Sequence, residues 1–173
     1  LYPDYMLLSC VRHCTKGGES VLIDGYRIEE YLRAHPDFSW AGHALADVVI
    51  DQTEENMQTA ISPIVMSNGR GRKMVRKTLN QKPSATSTDS ERDARMIALW
   101  CDTINAAYEV APRFKLRAGQ TLVVDNYRLL HGRDPYEDLQ RMLWRVWVWT
   151  TDALGVPDLP LASDTRHALA SQS

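Results

Sequence analysis

The segment that most constrains the fold is residues 117–150, RAGQTLVVDNYRLLHGRDPYEDLQRMLWRVWVWT. Residues 121–125 are apolar and β-branched, which is typical of a buried strand. Gly132 and Pro135 predict a polar loop after that strand. Residues 141–150 are rich in Trp and Val and predict a second strand. The segment therefore favours a β-sheet protein.

The second strand carries two arginines among apolar side chains. Its two-residue repeat places these residues on one face: Arg141, Leu143, Arg145, Trp147 and Trp149. The opposite face is also apolar, so we expect the strand to be covered on both sides. A buried guanidinium needs an anionic partner, because burying a charge without a partner costs several kcal/mol of folding free energy. With His131 just past the end of the first strand, the two arginines indicate a site that holds a metal and a carboxylate.

Two blocks of sequence resemble a known family. Residues 123–147 (VVDNYRLLHGRDPYEDLQRMLWRVW) resemble the distal iron-binding motif of the TauD/TfdA-like Fe(II)- and 2-oxoglutarate-dependent dioxygenases, which include the γ-butyrobetaine and trimethyllysine hydroxylases. Residues 7–25 (LLSCVRHCTKGGESVLIDG) resemble the family's LLHC…GG(D/E)(S/T)…VDG segment. The blocks occur in the family's order. The resemblance covers most of residues 1 to 150 and leaves the substrate open.

The resemblance implies roles in iron and co-substrate binding for three residues. His131 aligns with the distal histidine ligand of Fe(II), although a lone histidine is also common in ordinary turns. Arg141 aligns with the arginine that binds the distal carboxylate of 2-oxoglutarate through two parallel hydrogen bonds; a surface arginine where a loop meets a strand is the alternative. Ser20 follows the GGE sequence, where many members place a hydroxyl that helps to bind the co-substrate; an ordinary strand hydroxyl is the alternative.

Arg145 and Trp147 suggest different substrates. In the taurine-type branch, an arginine spaced like Arg145 binds the anionic group of the substrate. Trp147 aligns with a position where betaine hydroxylases carry an aromatic residue of their cation-binding cage, although a tryptophan in an apolar strand is more often part of the core. The substrate class therefore stays open.

The family's first two metal ligands come from an HxD motif that precedes the GGES block. We expect these other His and Asp ligands upstream of Leu1. The literal His35-Pro36-Asp37 follows the GGES block, and we interpret it as a helix stop. The resemblance and the many short strands predict a mainly β fold with helical insertions, a double-stranded β-helix (jelly roll) without its N-terminal part.

The 173 residues are sufficient for one domain, expected to be an incomplete oxygenase domain over 1–173 with a loosely packed tail at 157–173. A net charge of −2 gives no reason to expect nucleic acid or membrane as a partner. Three cysteines favour a reducing compartment, so we expect a cytoplasmic protein. Exposed aromatic strands would favour a homo-oligomer.

Local patterns predict several further elements. Strands are expected at 5–11 and 19–24, forming a hairpin, and helices at 26–33 and 90–108. Weaker patterns predict strands at 46–50 and 113–116, strands at 61–66 and 73–78 around a turn, and a mobile polar loop at 79–91.

The most specific functional hypothesis is an oxygenase that uses Fe(II), 2-oxoglutarate and O₂ to oxidise a C–H bond of a small molecule. Hydroxylation is the default outcome, with succinate and CO₂ as co-products. The alternative is a catalytically inactive jelly-roll homologue that binds a small anion or a protein.

Overall fold

The computed structural model describes residues 2–55, 59–69, 71–138 and 140–155. Within these ranges the protein is mainly β with few helices, as predicted. The strands are β1 (Tyr5–Arg12), β2 (Ser20–Asp24), β3 (Ile50–Asp51), β4 (Ile61–Ser62), β5 (Val65–Ser67), β6 (Lys73–Val75), β7 (Lys82–Pro83), β8 (Thr121–Asp125), β9 (Leu129–Arg133) and β10 (Met142–Val148). The helices are α1 (Gly25–Ala34), α2 (Ser39–Asp47) and α3 (Ser90–Val110).

Two antiparallel sheets carry the two blocks of sequence that resemble the family. β1 lies between β10 and β8 in a three-stranded sheet, and β2 pairs with β9 in a second sheet. The predicted strands β1 and β2 are therefore present, but the predicted hairpin between them is wrong. The segment between them crosses from one sheet to the other, which two strands joined by a tight turn could not do.

The predicted cover on both faces of the last strand is wrong for the described part of the chain. Its two-residue alternation is correct, since Arg145 lies opposite Leu8 and Trp147 opposite Met6 in the β1–β10 ladder. On the other face, Trp144 is 60% exposed. No layer formed by the described residues covers that face, so its side chains Met142, Trp144 and Val146 are exposed.

Strand β9 lies where the sequence predicted a loop. Leu22 of β2 is paired with His131 in the middle of β9, and Val21 with Gly132. Gly132 was interpreted as a sign of a loop, but it lies inside the sheet, where it allows the Tyr108 ring to approach the β9 backbone closely. A Cβ at this position would lie 2.9 Å from Cε2 of Tyr108 on α3, closer than packed atoms tolerate.

The helices confirm the stronger helical patterns and correct one weaker pattern. α1 and α3 confirm the predictions at 26–33 and 90–108. The predicted strand at 46–50 is wrong over 46–49, since α2 extends to Asp47 and the next two residues are irregular, but Ile50 does begin β3. Ala41, Ala44 and Leu45 recur at helical spacing and are buried, and this burial outweighs the β-branched residues that follow.

The hydrophobic core lies between the helices and one face of β2. It includes Val21 and Ile23 of β2, Leu32 of α1, Leu45 of α2 and Trp100 of α3. Each fully buried side chain of this size contributes about 1.5–3 kcal/mol relative to exposure. The opposite face of β2 remains available for other contacts, because successive side chains alternate across a strand.

Two weaker predictions are corrected by the structure. The predicted strand at 113–116 is reduced to a single β-bridge between Phe114 and Ser20. The polar tract at 79–91 contains β7, which pairs with β3, and its Gln81 donates a side-chain hydrogen bond to Gln52.

The hairpin of β5 and β6 confirms the turn predicted around residues 67–69. The proposed tail at 157–173 lies outside the described residues.

None of the helices in the described ranges has the length and apolar character needed to cross a membrane. The described cysteines Cys10, Cys14 and Cys101 are all free thiols.

Asp24 joins β2 to α1 and to the turn before β9. Its carboxylate accepts hydrogen bonds from the backbone N–H groups of Tyr26 and Arg27, which caps the helix. It also accepts from the Arg128 guanidinium at 2.5 and 3.0 Å. Burial alone would raise the pKa of Asp24, but the hydrogen bonds from Arg128 and the helix N–H groups outweigh burial, and the pKa is lowered.

We expect Asp24→Ala to lower the free energy of unfolding at neutral pH by about 1–2 kcal/mol, the usual value of a helix cap. Because the pKa of Asp24 is lowered in the folded state, its ionic contribution exists above the unfolded pKa of about 3.9 and is lost as the pH falls through the folded pKa. Urea unfolding at several pH values should therefore give a smaller difference between wild type and Asp24→Asn in acid than at pH 7. An equal difference at every pH would contradict this account.

Candidate active site

His131 is placed in β9 by the turn that follows β8. In that turn the Tyr127 N–H donates to Asp125 Oδ1 at 3.1 Å, and the Arg128 N–H donates to the Asp125 carbonyl at 3.2 Å. The Asp125 carboxylate is held in turn by Arg72 at 2.9 Å. Asp125 therefore has a structural role, and its contacts fix the point at which β9, and with it His131, begins.

Ser20 and His131 share one face of the β2–β9 sheet. Val21 and Ile23 point into the core, so Ser20 and Leu22 lie on the opposite face. Leu22 is paired with His131, and Ser20 is paired with Arg133. Cross-strand partners lie on the same face of a sheet. His131, Ser20 and Arg133 are therefore neighbours on a surface that faces away from the helices.

The environment of His131 favours its neutral form. Burial lowers the pKa of the imidazole below its ordinary value, and the positive charge of Arg145 lowers it further. Many protein atoms surround the imidazole and desolvate it, although part of the residue remains accessible to solvent. Arg145 lies on β10 and His131 on β9, so side chains from the two different sheets contribute to the electrostatics of one site. A neutral imidazole is the form that binds a metal ion.

Arg141 lies directly before β10 and beside the Gly17–Gly18 turn. Its Nε would be 3.5 Å from a Cβ placed on Gly18. In the part of the chain that the structure describes, no carboxylate lies within ion-pair distance of Arg141. The side chain is half-buried. A half-buried guanidinium that no protein carboxylate neutralises is suited to bind the carboxylate of a ligand.

The Gly17–Gly18 turn is held against Pro135 and Tyr136. Gly17 forms a β-bridge with Tyr136, and the Gly18 N–H donates to the Pro135 carbonyl at 3.0 Å. Both glycines have positive φ, 73° and 72°. A Cβ on Gly17 would overlap the Pro135 carbonyl oxygen, and a Cβ on Gly18 would lie 2.6 Å from Cys14 Sγ. The turn therefore requires glycine at both positions for conformation and for space.

We expect Gly17→Ala to lower the free energy of unfolding by about 2 kcal/mol or more, because it adds a steric overlap to the cost of a left-handed conformation. Gly69→Ala is the matched control, since Gly69 has a φ of 70° and nothing within 4 Å of its Cβ position. Chemical denaturation of both variants isolates the steric part as the difference between them. Equal losses of stability would mean that the contact with Pro135 has no energetic weight.

Arg145 and Trp147 are in contact with each other. The Arg145 guanidinium carbon lies 4.7 Å from the centre of the Trp147 ring. Trp147 also makes an edge contact with Trp149, with ring centres 6.2 Å apart. The two residues that suggested different substrates thus form one unit on the inner face of β10, in which the Trp147 ring already has a cation beside it.

The described residues fit a 2-oxoglutarate carboxylate better than they fit a complete iron site. Within 2–55, 59–69, 71–138 and 140–155, no group of three His, Cys, Asp or Glu side chains could hold a metal ion. His131 could supply one ligand, but a facial Fe(II) site needs three protein ligands. His35 does not complete the iron site. Its ring stacks on the Phe38 ring with centroids 4.2 Å apart, and its Nδ1 accepts a hydrogen bond from the Asp37 N–H. As predicted, His35 marks the end of α1.

Sequence reasoning missed Arg133 and Tyr136. The Arg133 guanidinium carbon lies 4.4 Å from the centre of the Tyr136 ring, and that of Arg141 lies 5.2 Å from it. The spacing of Arg133 from His131 would have placed both on one face, had β9 been recognised. Tyr136 had no such signal, because its contacts come from distant parts of the chain.

Comparisons with known proteins give a family match and related sequences. The family model "Taurine catabolism dioxygenase TauD, TfdA family" matches residues 2–147. The human gamma-butyrobetaine dioxygenase is 28% identical over 145 residues, a match that covers 78% of this chain and 37% of the relative. The orangutan (Pongo abelii) enzyme of the same name matches to the same extent. The chain thus spans little more than a third of the length of these curated relatives.

Solved structures show the same fold. A taurine dioxygenase from Burkholderia xenovorans aligns with a TM-score of 0.63 at 20% identity, over 84% of this chain and 52% of that protein. An asparagine oxygenase in complex with Fe(II), 2S,3S-3-hydroxyasparagine and succinate aligns with a TM-score of 0.60 at 21% identity, over 85% of this chain and 46% of that protein. At these identities the likeness concerns the fold.

Proposed function

Because this chain belongs to the TauD, TfdA family of taurine catabolism dioxygenases, we propose that it forms part of an oxygenase that depends on Fe(II) and 2-oxoglutarate. In this proposal the chain contributes the distal metal ligand, His131, and the co-substrate clamp, Arg141. In this proposal the remaining His and Asp ligands come from outside the described residues. The two sheets described above are then the two sheets of a double-stranded β-helix.

The proposed reaction oxidises a C–H bond of a small molecule. In the balanced reaction, substrate, O₂ and 2-oxoglutarate give hydroxylated substrate, succinate and CO₂. One oxygen atom enters the substrate and the other enters succinate. Iron, when bound, supplies the means to activate O₂. The described residues bind and orient the co-substrate around it.

The single observation that carries the proposal is the state of Arg141. Its guanidinium is half-buried beside the Gly17–Gly18 turn, and no carboxylate of the described chain lies within ion-pair distance. A planar guanidinium can donate two parallel hydrogen bonds to one carboxylate. Ser20, buried on the same sheet face as His131, can donate a further hydrogen bond to the co-substrate.

The contact between Arg145 and Trp147 bears on the substrate. A cation-binding cage needs an open aromatic face, but the Trp147 ring already has the Arg145 guanidinium 4.7 Å from its centre. A second cation at this ring would be repelled. The contact therefore favours a substrate that presents an anionic group to Arg145, with Trp147 holding the guanidinium in place.

Succinate formation tests the proposed function. The polypeptide from the complete reading frame is incubated with Fe(II), 2-oxoglutarate and O₂, together with amino acids, sulfonates and betaines in turn. We expect succinate to form and to disappear when Fe(II) is removed with a chelator. Succinate formation that continues without Fe(II), or none with any compound, would contradict the proposal.

A further inference from the structure

Two arginines and one tyrosine form a cluster that the proposed reaction does not by itself explain. The guanidinium carbons of Arg133 and Arg141 lie 4.4 and 5.2 Å from the centre of the Tyr136 ring. Arg133 comes from β9 and Arg141 from the residue before β10, so the ring joins the two sheets. Two like charges this close to one ring repel each other, and the negative face of the ring offsets part of that repulsion.

The backbone that carries the Tyr136 ring is held by the glycine turn. Tyr136 forms a β-bridge with Gly17, and its Cβ would lie 3.3 Å from a Cβ on Gly18. The Gly18 N–H donates to the neighbouring Pro135 carbonyl at 3.0 Å. The Tyr136 backbone therefore cannot move without breaking these contacts. The ring is therefore attached to a backbone that is held beside both guanidinium groups.

Neither arginine is neutralised within the described part of the chain. No carboxylate there lies within ion-pair distance of Arg133 or Arg141. An arginine side chain without an ionic partner samples several rotamers, and ligand binding must then restrict them at an entropic cost. A cation–π contact restricts the side chain before the ligand arrives and leaves its N–H donors free.

We propose that Tyr136 is a positioning residue. Its ring holds the Arg141 guanidinium, with Arg133 beside it, in the orientation in which Arg141 donates hydrogen bonds to the co-substrate carboxylate. This inference rests on the proposed function, because it assigns Tyr136 to the same co-substrate site. The aromatic face is the part of the side chain that acts. Phenylalanine should therefore replace tyrosine, and leucine should not.

The test measures the Kd for 2-oxoglutarate by calorimetry, with Fe(II) present and O₂ absent, on the polypeptide from the complete reading frame. We expect Tyr136→Leu to weaken binding about tenfold, equivalent to about 1.4 kcal/mol, and Tyr136→Phe to stay within about twofold of wild type. In turnover assays, Tyr136→Leu should raise the KM for 2-oxoglutarate more than it lowers kcat, because the ring acts on binding.

Tyr31→Leu is the matched control, since Tyr31 is an exposed tyrosine on α1, and it should bind 2-oxoglutarate like wild type. Wild-type affinity in Tyr136→Leu would overturn the inference, and so would an equal loss in Tyr136→Phe, which would assign the effect to the hydroxyl. Arg141→Ala separates the two levels. If Arg141→Ala loses binding while Tyr136→Leu keeps it, only the role of Tyr136 fails. If Arg141→Ala binds like wild type, the proposed co-substrate site fails as well.

Discussion

Replacing Arg141 with alanine is expected to weaken 2-oxoglutarate binding by about 100-fold or more. Truncating one partner of a desolvated, hydrogen-bonded charge pair costs about 2–5 kcal/mol, and tenfold in affinity corresponds to about 1.4 kcal/mol. Arg141 is the half-buried guanidinium beside the Gly17–Gly18 turn, so the co-substrate carboxylate would lose its main partner. Calorimetric titration of the polypeptide from the complete reading frame measures the loss.

Two further variants sharpen this prediction. Arg141→Lys keeps the charge but removes the planar pair of donors, so we expect an intermediate loss of about tenfold. Arg95→Ala removes an exposed arginine on α3 and should leave the affinity unchanged. Equal affinities of Arg141→Ala and wild type would exclude Arg141 as the co-substrate clamp.

Replacing His131 with alanine is expected to reduce Fe(II)-dependent succinate formation to the background seen without enzyme. A facial site that loses one of its three protein ligands holds Fe(II) poorly, and the low pKa of His131 shows an imidazole kept in the form that binds metal. The amount of succinate formed at saturating 2-oxoglutarate measures the effect. The thermal stability of the variant should stay close to that of wild type, because His131 is not part of the hydrophobic core.

His43→Ala is the matched control for His131. His43 is exposed on α2, where its Nδ1 lies 2.8 Å from the Arg33 guanidinium, and its removal should leave succinate formation unchanged. Retained turnover in His131→Ala would contradict its role as a ligand. Loss of turnover in both variants would point to a general effect of removing surface histidines.

The sequence was most informative where a local pattern was long and regular. α3 was predicted almost to its ends, because its apolar residues recur at helical spacing through Met96, Trp100 and Ile104. β8 and the alternation of β10 were predicted for the same reason. The pattern of β10 could not show that Trp144 is exposed, because exposure depends on whether another layer of the protein covers that face of the strand.

The candidate site was predicted through resemblance and only in part. His131, Arg141, Ser20, Arg145 and Trp147 were proposed from the aligned motifs, and their roles stay proposals. The structure adds that His131 lies inside a strand, next to Arg133 on the same face. Gly132 and Pro135 hid that strand, since both residues normally break regular structure. The contact of Tyr136 with Gly17 joins distant segments and leaves no local trace.

The most direct test of the proposed activity is an anaerobic titration with Fe(II) and 2-oxoglutarate that follows the visible charge-transfer band of the chelate. It compares the polypeptide from the complete reading frame with the 173-residue chain, and with Arg141→Ala and His131→Ala in the longer polypeptide. We predict a band for the complete polypeptide and none for either variant or for the 173-residue chain, whose described part offers no three-ligand site. Absence of the band from the complete polypeptide, or its persistence in both variants, would contradict the account.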